Sequence, residues 1–115
     1  MMLIFVYNAN SGAFNTLLDI AHRVFSPQTY SCNLCAITYS ATGMRREWSQ
    51  FLYGLEMPFE FLHRDELRER YSVEGVVLPA VFMRDGGKPT VLIDAEAINS
   101  CKNLDDLIRL VKDKV

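Results

Sequence analysis

The sequence predicts a single α/β domain, and three observations favour this class. Short apolar runs alternate with amphipathic segments, two late apolar runs flank a glycine-rich turn, and half of the 115 residues are apolar. This content suffices for one buried core. No repeat, low-complexity stretch or linker divides residues 1–115. We therefore expect one domain.

The first predicted elements are a buried strand and an amphipathic helix. The continuous apolar run at residues 3–7 suits a parallel strand, and the polar residues 8–12 form the loop that follows it. Apolar side chains then recur at helical spacing over residues 14–25. This helix is expected to end before Pro27.

A second strand and a second helix are predicted next. Residues 34–39 are mostly apolar and partly β-branched, which indicates a strand. Apolar residues over 44–55 form one stripe at helical spacing, and Thr42 or Gly43 is the expected start of that helix.

The second half of the chain predicts a strand, a short helix and a hairpin. Residues 59–63 form a third extended run, which is followed by one or two helical turns that end at Tyr71. The apolar runs 76–83 and 90–93 flank the turn at residues 85–87, Asp-Gly-Gly, and this pattern is typical of a β-hairpin.

A terminal helix is the most clearly marked element. Asn103 is a suitable N-cap, and Asp105 and Asp106 fall in the first turn, where they interact favourably with the helix dipole. The predicted apolar stripe consists of Leu104, Leu107, Ile108 and Val111.

This order of elements is that of the thioredoxin fold, and residues 59–87 resemble the second half of that family. The likeness covers residues 59–113. The chain as a whole resembles small uncharacterised bacterial proteins of this fold. This resemblance implies a thioredoxin-like α/β fold with a central mixed sheet of four to five strands and helices on both faces. It also implies a cis peptide bond before Pro79, in the place of the proline that faces the family's active site. Residues 32–56 are expected to form an added strand and helix.

Charge and composition exclude several classes of partner. The formal charge of −2 and the absence of a basic stripe argue against nucleic acid. Residues 3–7 follow no basic segment and are too short for a signal sequence or a membrane span, so we expect a cytoplasmic protein without a membrane partner. No nucleotide-binding glycine loop is present, and no cofactor is expected.

Cys32-Asn33-Leu34-Cys35 is the one motif that could carry redox chemistry. In the thioredoxin family the Cys-x-x-Cys lies where the first core strand enters its helix, and that place in this chain is occupied by residues 10–13. If residues 32–35 were extended, the two cysteine Cα atoms would lie roughly 10 Å apart, beyond the ~7 Å limit for a disulfide. A disulfide would require a turn, which Asn33 permits. A strand at 34–39 would also place the pair at the opposite end of the sheet from Pro79.

Three interpretations of the cysteine pair stay open: inert buried thiols, a redox-active dithiol, and metal ligands. In a cytoplasmic protein a structural disulfide framework is not expected. Zinc normally takes four ligands, and only Cys101, His22 and His63 could complete a set, so no metal site within the chain is evident. In the redox interpretation, Cys32 is the more exposed attacking thiol and Cys35 resolves the mixed disulfide.

A second candidate site lies at the carboxyl ends of the predicted strands, where open α/β folds bind ligands. A helix beginning near residue 11 would offer free backbone N–H groups to an anion, and an arginine and a histidine at neighbouring strand ends could assist. The expected ligand-binding residues are Asn10, Ser11, Gly12, Thr42, Arg45, His63 and Pro79. The alternative is that these residues are ordinary caps and solvated surface groups.

Two functions follow from these sites. The first is a thiol-disulfide oxidoreductase that acts on protein thiols through Cys32 and Cys35. The second is a redox-inactive module that binds a small polar or anionic ligand, or a peptide, at residues 10–12 beside Pro79.

Overall fold

Six strands and five helices occur in the part of the chain that the computed structural model describes, which is residues 1–8, 33–40 and 43–115. In chain order they are β1 (Met2–Tyr7), α1 (Asn33–Thr38), β2 (Tyr39–Ser40), β3 (Gly43–Met44), α2 (Arg46–Gly54), β4 (Phe59–His63), α3 (Arg64–Tyr71), β5 (Ala80–Arg84), β6 (Thr90–Ile93), α4 (Ala95–Asn99) and α5 (Leu104–Lys114). The helix expected over residues 14–25 lies outside the described residues.

The central feature is a four-stranded mixed sheet with the order β4-β1-β5-β6. Strand β1 is parallel to β4 and antiparallel to β5, and β5 pairs with β6 as an antiparallel hairpin. The predicted α/β class, the strand at residues 59–63 and the hairpin are therefore confirmed. Residues 3–7 of β1 are all buried, as expected for a central strand that is covered on both faces.

Alternate residues of β1 enter two cores on opposite faces of the sheet, because successive side chains of a strand point in opposite directions. Leu3, Phe5 and Tyr7 join the first core, which contains buried residues of α1, α2, α4 and α5. Ile4 and Val6 join the second core, which includes a buried leucine of α3. Helices thus cover both faces of the sheet.

The strand predicted at residues 34–39 is wrong. Residues 33–38 form helix α1, and only Tyr39 and Ser40 are extended. Leu34, Cys35 and Thr38 are the buried residues of this helix, a spacing that fits a helical face rather than a strand. The Thr38 hydroxyl donates a 2.5 Å hydrogen bond to the Leu34 carbonyl, which satisfies a buried polar group within the helix.

One helix boundary and one further helix also differ from the prediction. Helix α2 begins at Arg46 rather than at Thr42 or Gly43, because Gly43 has a φ of 120° and pairs with Ser40 in the short β2-β3 hairpin. Helix α4 was not predicted. It is marked by Asp94, whose side chain accepts a 2.9 Å hydrogen bond from the Ala97 N–H as an N-cap.

The terminal helix has the predicted start. The Asn103 side chain accepts a 2.9 Å hydrogen bond from the Asp106 N–H, and both acidic residues lie in the first turn of α5. The buried residues of this helix are Leu104, Leu107 and Val111. Its N-cap and most of its apolar stripe are therefore confirmed.

Candidate functional site

One end of the sheet, which we call the Tyr7 end, brings together two of the expected site residues. Tyr7 is the last residue of β1 and pairs with His63, the last residue of β4, while Val6 pairs with Ala80, the first residue of β5. Pro79 directly precedes Ala80, is buried, and follows a cis peptide bond, as the resemblance implies. His63 and Pro79 therefore lie on either side of the end of β1.

The Tyr7 side chain links this end of the sheet to the segment that follows α1. Its hydroxyl donates to the Tyr39 hydroxyl at 3.5 Å, and its ring centroid lies 6.1 Å from that of Tyr39 and 5.6 Å from that of His63. Burial raises the pKa of the Tyr7 hydroxyl far above its usual value, and the neighbouring Tyr39 raises it further. The Tyr7 hydroxyl is therefore uncharged, and this buried side chain joins the end of β1 to Tyr39.

His63 has a structural role at the start of α3. Its backbone N–H donates to Glu66 Oε1 at 2.9 Å, and its Nδ1 lies 2.5 Å from the same oxygen. Burial acts to raise the pKa of the Glu66 carboxyl, but the hydrogen bonds with His63 and electrostatic attraction to His63 and Arg70 together hold that pKa below its usual value. A carboxylate at this helix start is favoured by both the capping box and the helix dipole.

Arg45 lies at the N-cap position of α2 but makes no side-chain cap. Its side chain is exposed, and its backbone N–H donates a 2.8 Å hydrogen bond to the Thr38 carbonyl at the end of α1. This placement agrees with the interpretation of Arg45 as a solvated residue at a helix start. The other expected ligand-binding residues, Asn10, Ser11, Gly12 and Thr42, lie outside the described residues.

The described cysteines differ in chemical state. Cys35 is disulfide-bonded, lies in the first turn of α1, and is 4% exposed. Cys101 is a free, half-buried thiol that donates to the Ala97 carbonyl at 3.6 Å. Burial raises the pKa of the Cys101 thiol, and the nearby Asp106 carboxylate raises it further. Cys32 lies outside the described residues.

The helical state of residues 33–38 corrects two expectations about the cysteine pair. The argument against a disulfide assumed an extended chain, but residues 33–35 are the start of a helix. The strand register that placed the pair at the end of the sheet opposite Pro79 does not apply either, because α1 is not part of the sheet. The chain leaving α1 instead reaches the Tyr7 end through Tyr39.

The side chain of Asn33 makes long-range hydrogen bonds that the sequence did not predict. Its side-chain amide donates to the carbonyl oxygens of Ile98 at 2.8 Å and Cys101 at 3.0 Å. These carbonyls lie at the end of α4 and just beyond it, where helical carbonyl groups lack partners within the helix. Because the partners lie more than 60 residues away, the local sequence carries no signal for this contact beyond the presence of an asparagine.

A small cavity adjoins the residue before Pro79. It has a volume of about 180 Å³ and an apolar wall that includes Leu67, Val73 and Leu78. Arg64 and Arg68 contribute two positive charges to its lining, and Glu74 contributes one negative charge 3.9 Å from Arg68. The lining therefore carries a net positive charge.

No family model, curated protein or solved structure matches the chain. Among the described residues, no three side chains of the metal-binding types His, Cys, Asp and Glu lie close enough to form a metal site. None of the helices in that part of the chain has the length and apolar character needed to cross a membrane.

Proposed function

We propose that this protein is a thioredoxin-like thiol-disulfide oxidoreductase whose redox pair is Cys32 and Cys35. The observation that carries the proposal is the disulfide at Cys35, in the first turn of a helix. Cys101 is a free thiol, and Cys32 is the remaining cysteine of the three in the chain. We therefore assign Cys32 as the partner of Cys35.

Two features of the fold support a thioredoxin-like assignment. A mixed sheet is covered by helices on both faces, and the β5-β6 hairpin is preceded by a cis proline at the Tyr7 end. The segment after α1 contacts that same end through Tyr39. A strand at residues 34–39 would have placed the cysteine pair at the opposite end of the sheet from Pro79. Because residues 33–38 form a helix instead, that argument against chemistry near Pro79 does not apply.

The proposed reaction is reduction of a substrate disulfide. The Cys32 thiolate attacks one substrate sulfur, and the other substrate sulfur leaves and takes up a proton. The Cys35 thiolate then attacks the Cys32 sulfur of the mixed disulfide, which forms the Cys32–Cys35 disulfide and releases the second substrate thiol. The substrate gains two electrons and two protons, and an external dithiol must reduce the pair again. The low exposure of Cys35 fits the resolving role, because this thiol needs to reach only Cys32.

The cytoplasmic location expected from the sequence is part of the proposal. Reducing systems keep most cytoplasmic thiols reduced, so a disulfide in that compartment is more often catalytic or regulatory than structural. A disulfide within a Cys-x-x-Cys motif fits this pattern. The proposed partners are accordingly protein disulfides.

An insulin-reduction assay with dithiothreitol as the reductant tests this proposal. We expect wild-type protein to accelerate insulin reduction, and Cys32→Ser or Cys35→Ser to return the rate to that of dithiothreitol alone. The matched control is Cys101→Ser, which removes the free thiol and should keep the wild-type rate. Equal rates for wild type and Cys32→Ser would contradict the proposal.

The cavity beside Leu78 favours a second candidate, a binding module for a small anionic ligand. Its volume of about 180 Å³ is below the ~300–1,000 Å³ of ordinary small-molecule sites, so it fits a single side chain or a small anion. Inorganic phosphate is a direct probe, and Arg64→Glu should abolish any phosphate-induced rise in melting temperature. The same rise should persist when both Cys32 and Cys35 are replaced by serine. No rise with wild-type protein would remove this candidate.

A further inference from the structure

The Asn33 side chain connects the cysteine motif to a distant helix. Asn33 lies between Cys32 and Cys35 in the sequence, and its side-chain amide donates two hydrogen bonds, one to Ile98 in α4 and one to Cys101, two residues beyond the end of α4. Helix α1 also packs against α4. The start of the helix that carries the disulfide is thus held by a second, non-covalent connection.

We infer that Asn33 is a positioning residue that stabilises the disulfide form of the Cys-x-x-Cys motif by holding its turn against the end of α4. This inference rests on the proposed function, because it assumes that Cys32 and Cys35 form the redox pair. Asn33 does not itself touch a reacting sulfur in the proposal. It acts through the position of the backbone between the two cysteines.

The direction of the effect follows from thermodynamic linkage. The disulfide restrains the backbone around Asn33. In the oxidised chain the Asn33 side chain therefore loses less conformational freedom when it bonds to Ile98 and Cys101 than it does in the reduced chain. Two events that favour each other do so reciprocally. If the disulfide favours the hydrogen bonds of the Asn33 side chain, these hydrogen bonds must favour the disulfide by the same factor.

The size of the effect is limited by the strength of the two bonds. One neutral hydrogen bond changes an equilibrium constant about fivefold. If reduction of the disulfide breaks one of the two Asn33 hydrogen bonds, Asn33→Ala should make disulfide formation about fivefold less favourable. If reduction breaks both hydrogen bonds, the factor should be about thirtyfold. For a two-electron couple these factors correspond to a reduction potential that is higher by about 20 to 45 mV.

A purely structural role would also destabilise α4, so the experiment needs a variant that weakens the same helix elsewhere. Asp94→Ala removes the N-cap bond to the Ala97 N–H at the other end of α4 and should lower the stability of this helix. It removes neither of the two carbonyl groups to which Asn33 donates, those of Ile98 and Cys101. It should therefore lower the melting temperature without changing the reduction potential.

The test is a glutathione redox titration in a Cys101→Ser background, in which only the Cys32–Cys35 pair can form an internal disulfide. Mass spectrometry after acid quenching and alkylation measures the oxidised fraction for the parent, Asn33→Ala, Asn33→Leu and Asp94→Ala. We expect both Asn33 variants to shift the equilibrium constant about fivefold or more, and Asp94→Ala to match the parent. Circular dichroism melting checks that each variant is folded.

Three results would overturn the inference: an Asn33→Ala constant within about twofold of the parent, an equal shift in Asp94→Ala, or a parent that forms no internal disulfide. If Asn33→Ala does not fold, the near-isosteric Asn33→Leu decides the question, because it keeps the side-chain volume and lacks the donors. The insulin assay separates this inference from the proposed function. A parent that forms the disulfide reversibly but does not accelerate insulin reduction would contradict the function, and the shift would still decide the role of Asn33.

Discussion

Replacing Glu66 with glutamine should remove a charge from the start of α3 while keeping the shape of the side chain. The glutamine oxygen can still accept from the His63 N–H, but a neutral bond is weaker than a charged one by about 1 kcal/mol. Loss of the charge near the helix N-terminus should cost a further ~0.3–1 kcal/mol. Because the Glu66 side chain is 29% exposed, water weakens these terms. We expect the free energy of unfolding to fall by about 1 to 1.5 kcal/mol at neutral pH.

The pH dependence of this loss has a definite sign. The folded pKa of Glu66 lies below its ordinary value of 4.5, so the stabilisation is present at pH values above the unfolded pKa. It is lost as the pH falls through the folded pKa, because the protonated carboxyl resembles glutamine in charge. The difference in stability between wild type and Glu66→Gln should therefore be full near neutral pH and shrink below pH 4.5.

Urea denaturation followed by circular dichroism at about pH 7 and about pH 3 measures this difference. Glu69→Gln is the matched control, because Glu69 is an exposed residue of the same helix and is not part of the capping box. We expect Glu69→Gln to change stability by less than about 0.5 kcal/mol at both pH values. A Glu66→Gln loss that is equally large at both pH values, or that Glu69→Gln reproduces, would refute the reasoning.

Three further predictions concern the core, the buried tyrosine and the thiols. Leu107→Ala removes a fully buried side chain of the first core and should lower the unfolding free energy by about 2–5 kcal/mol in urea titrations; a loss below about 1 kcal/mol would contradict that packing. The raised pKa of Tyr7 predicts that Tyr7→Phe and wild type lose the same number of phenolic protons during alkaline titration of the folded state. Above the unfolded tyrosine pKa of about 10, wild type should lose stability that Tyr7→Phe retains. If Cys32 is the proposed disulfide partner of Cys35, iodoacetamide should label only Cys101 in unreduced native protein and all three cysteines after reduction and unfolding; earlier labelling of Cys35 would contradict its disulfide.

Much of the sheet could be predicted because its signals are local. The apolar run of β1 identifies a strand that is buried on both faces, and the glycine-rich turn identifies the β5-β6 hairpin, in which Gly86 has a positive φ of 80°. The N-cap at Asn103 identifies the start of α5. In each case the stabilising groups lie within a few residues of one another along the chain.

Helix α1 could not be predicted for the opposite reason. A six-residue run of apolar and β-branched residues does not distinguish a buried strand from a buried helix. The contacts that favour the helix come from elsewhere: Asn33 bonds to residues at the end of α4, and Tyr39 meets Tyr7 at the end of β1. Helix α4 is a different case, since Asp94 before an alanine-rich segment is a recognisable N-cap signal.

The sequence by itself determined which chemistry is available: a Cys-x-x-Cys pair, a third thiol, and a proline before the hairpin. Only the tertiary structure decided that residues 33–38 are helical, that Cys35 is bonded while Cys101 is free, and that Asn33 binds the end of α4. The physical reason is the range of the interactions. Residue type and spacing determine the energies of neighbouring groups, whereas the hydrogen bonds that hold the cysteine motif connect segments that meet only when the sheet and its helices are assembled.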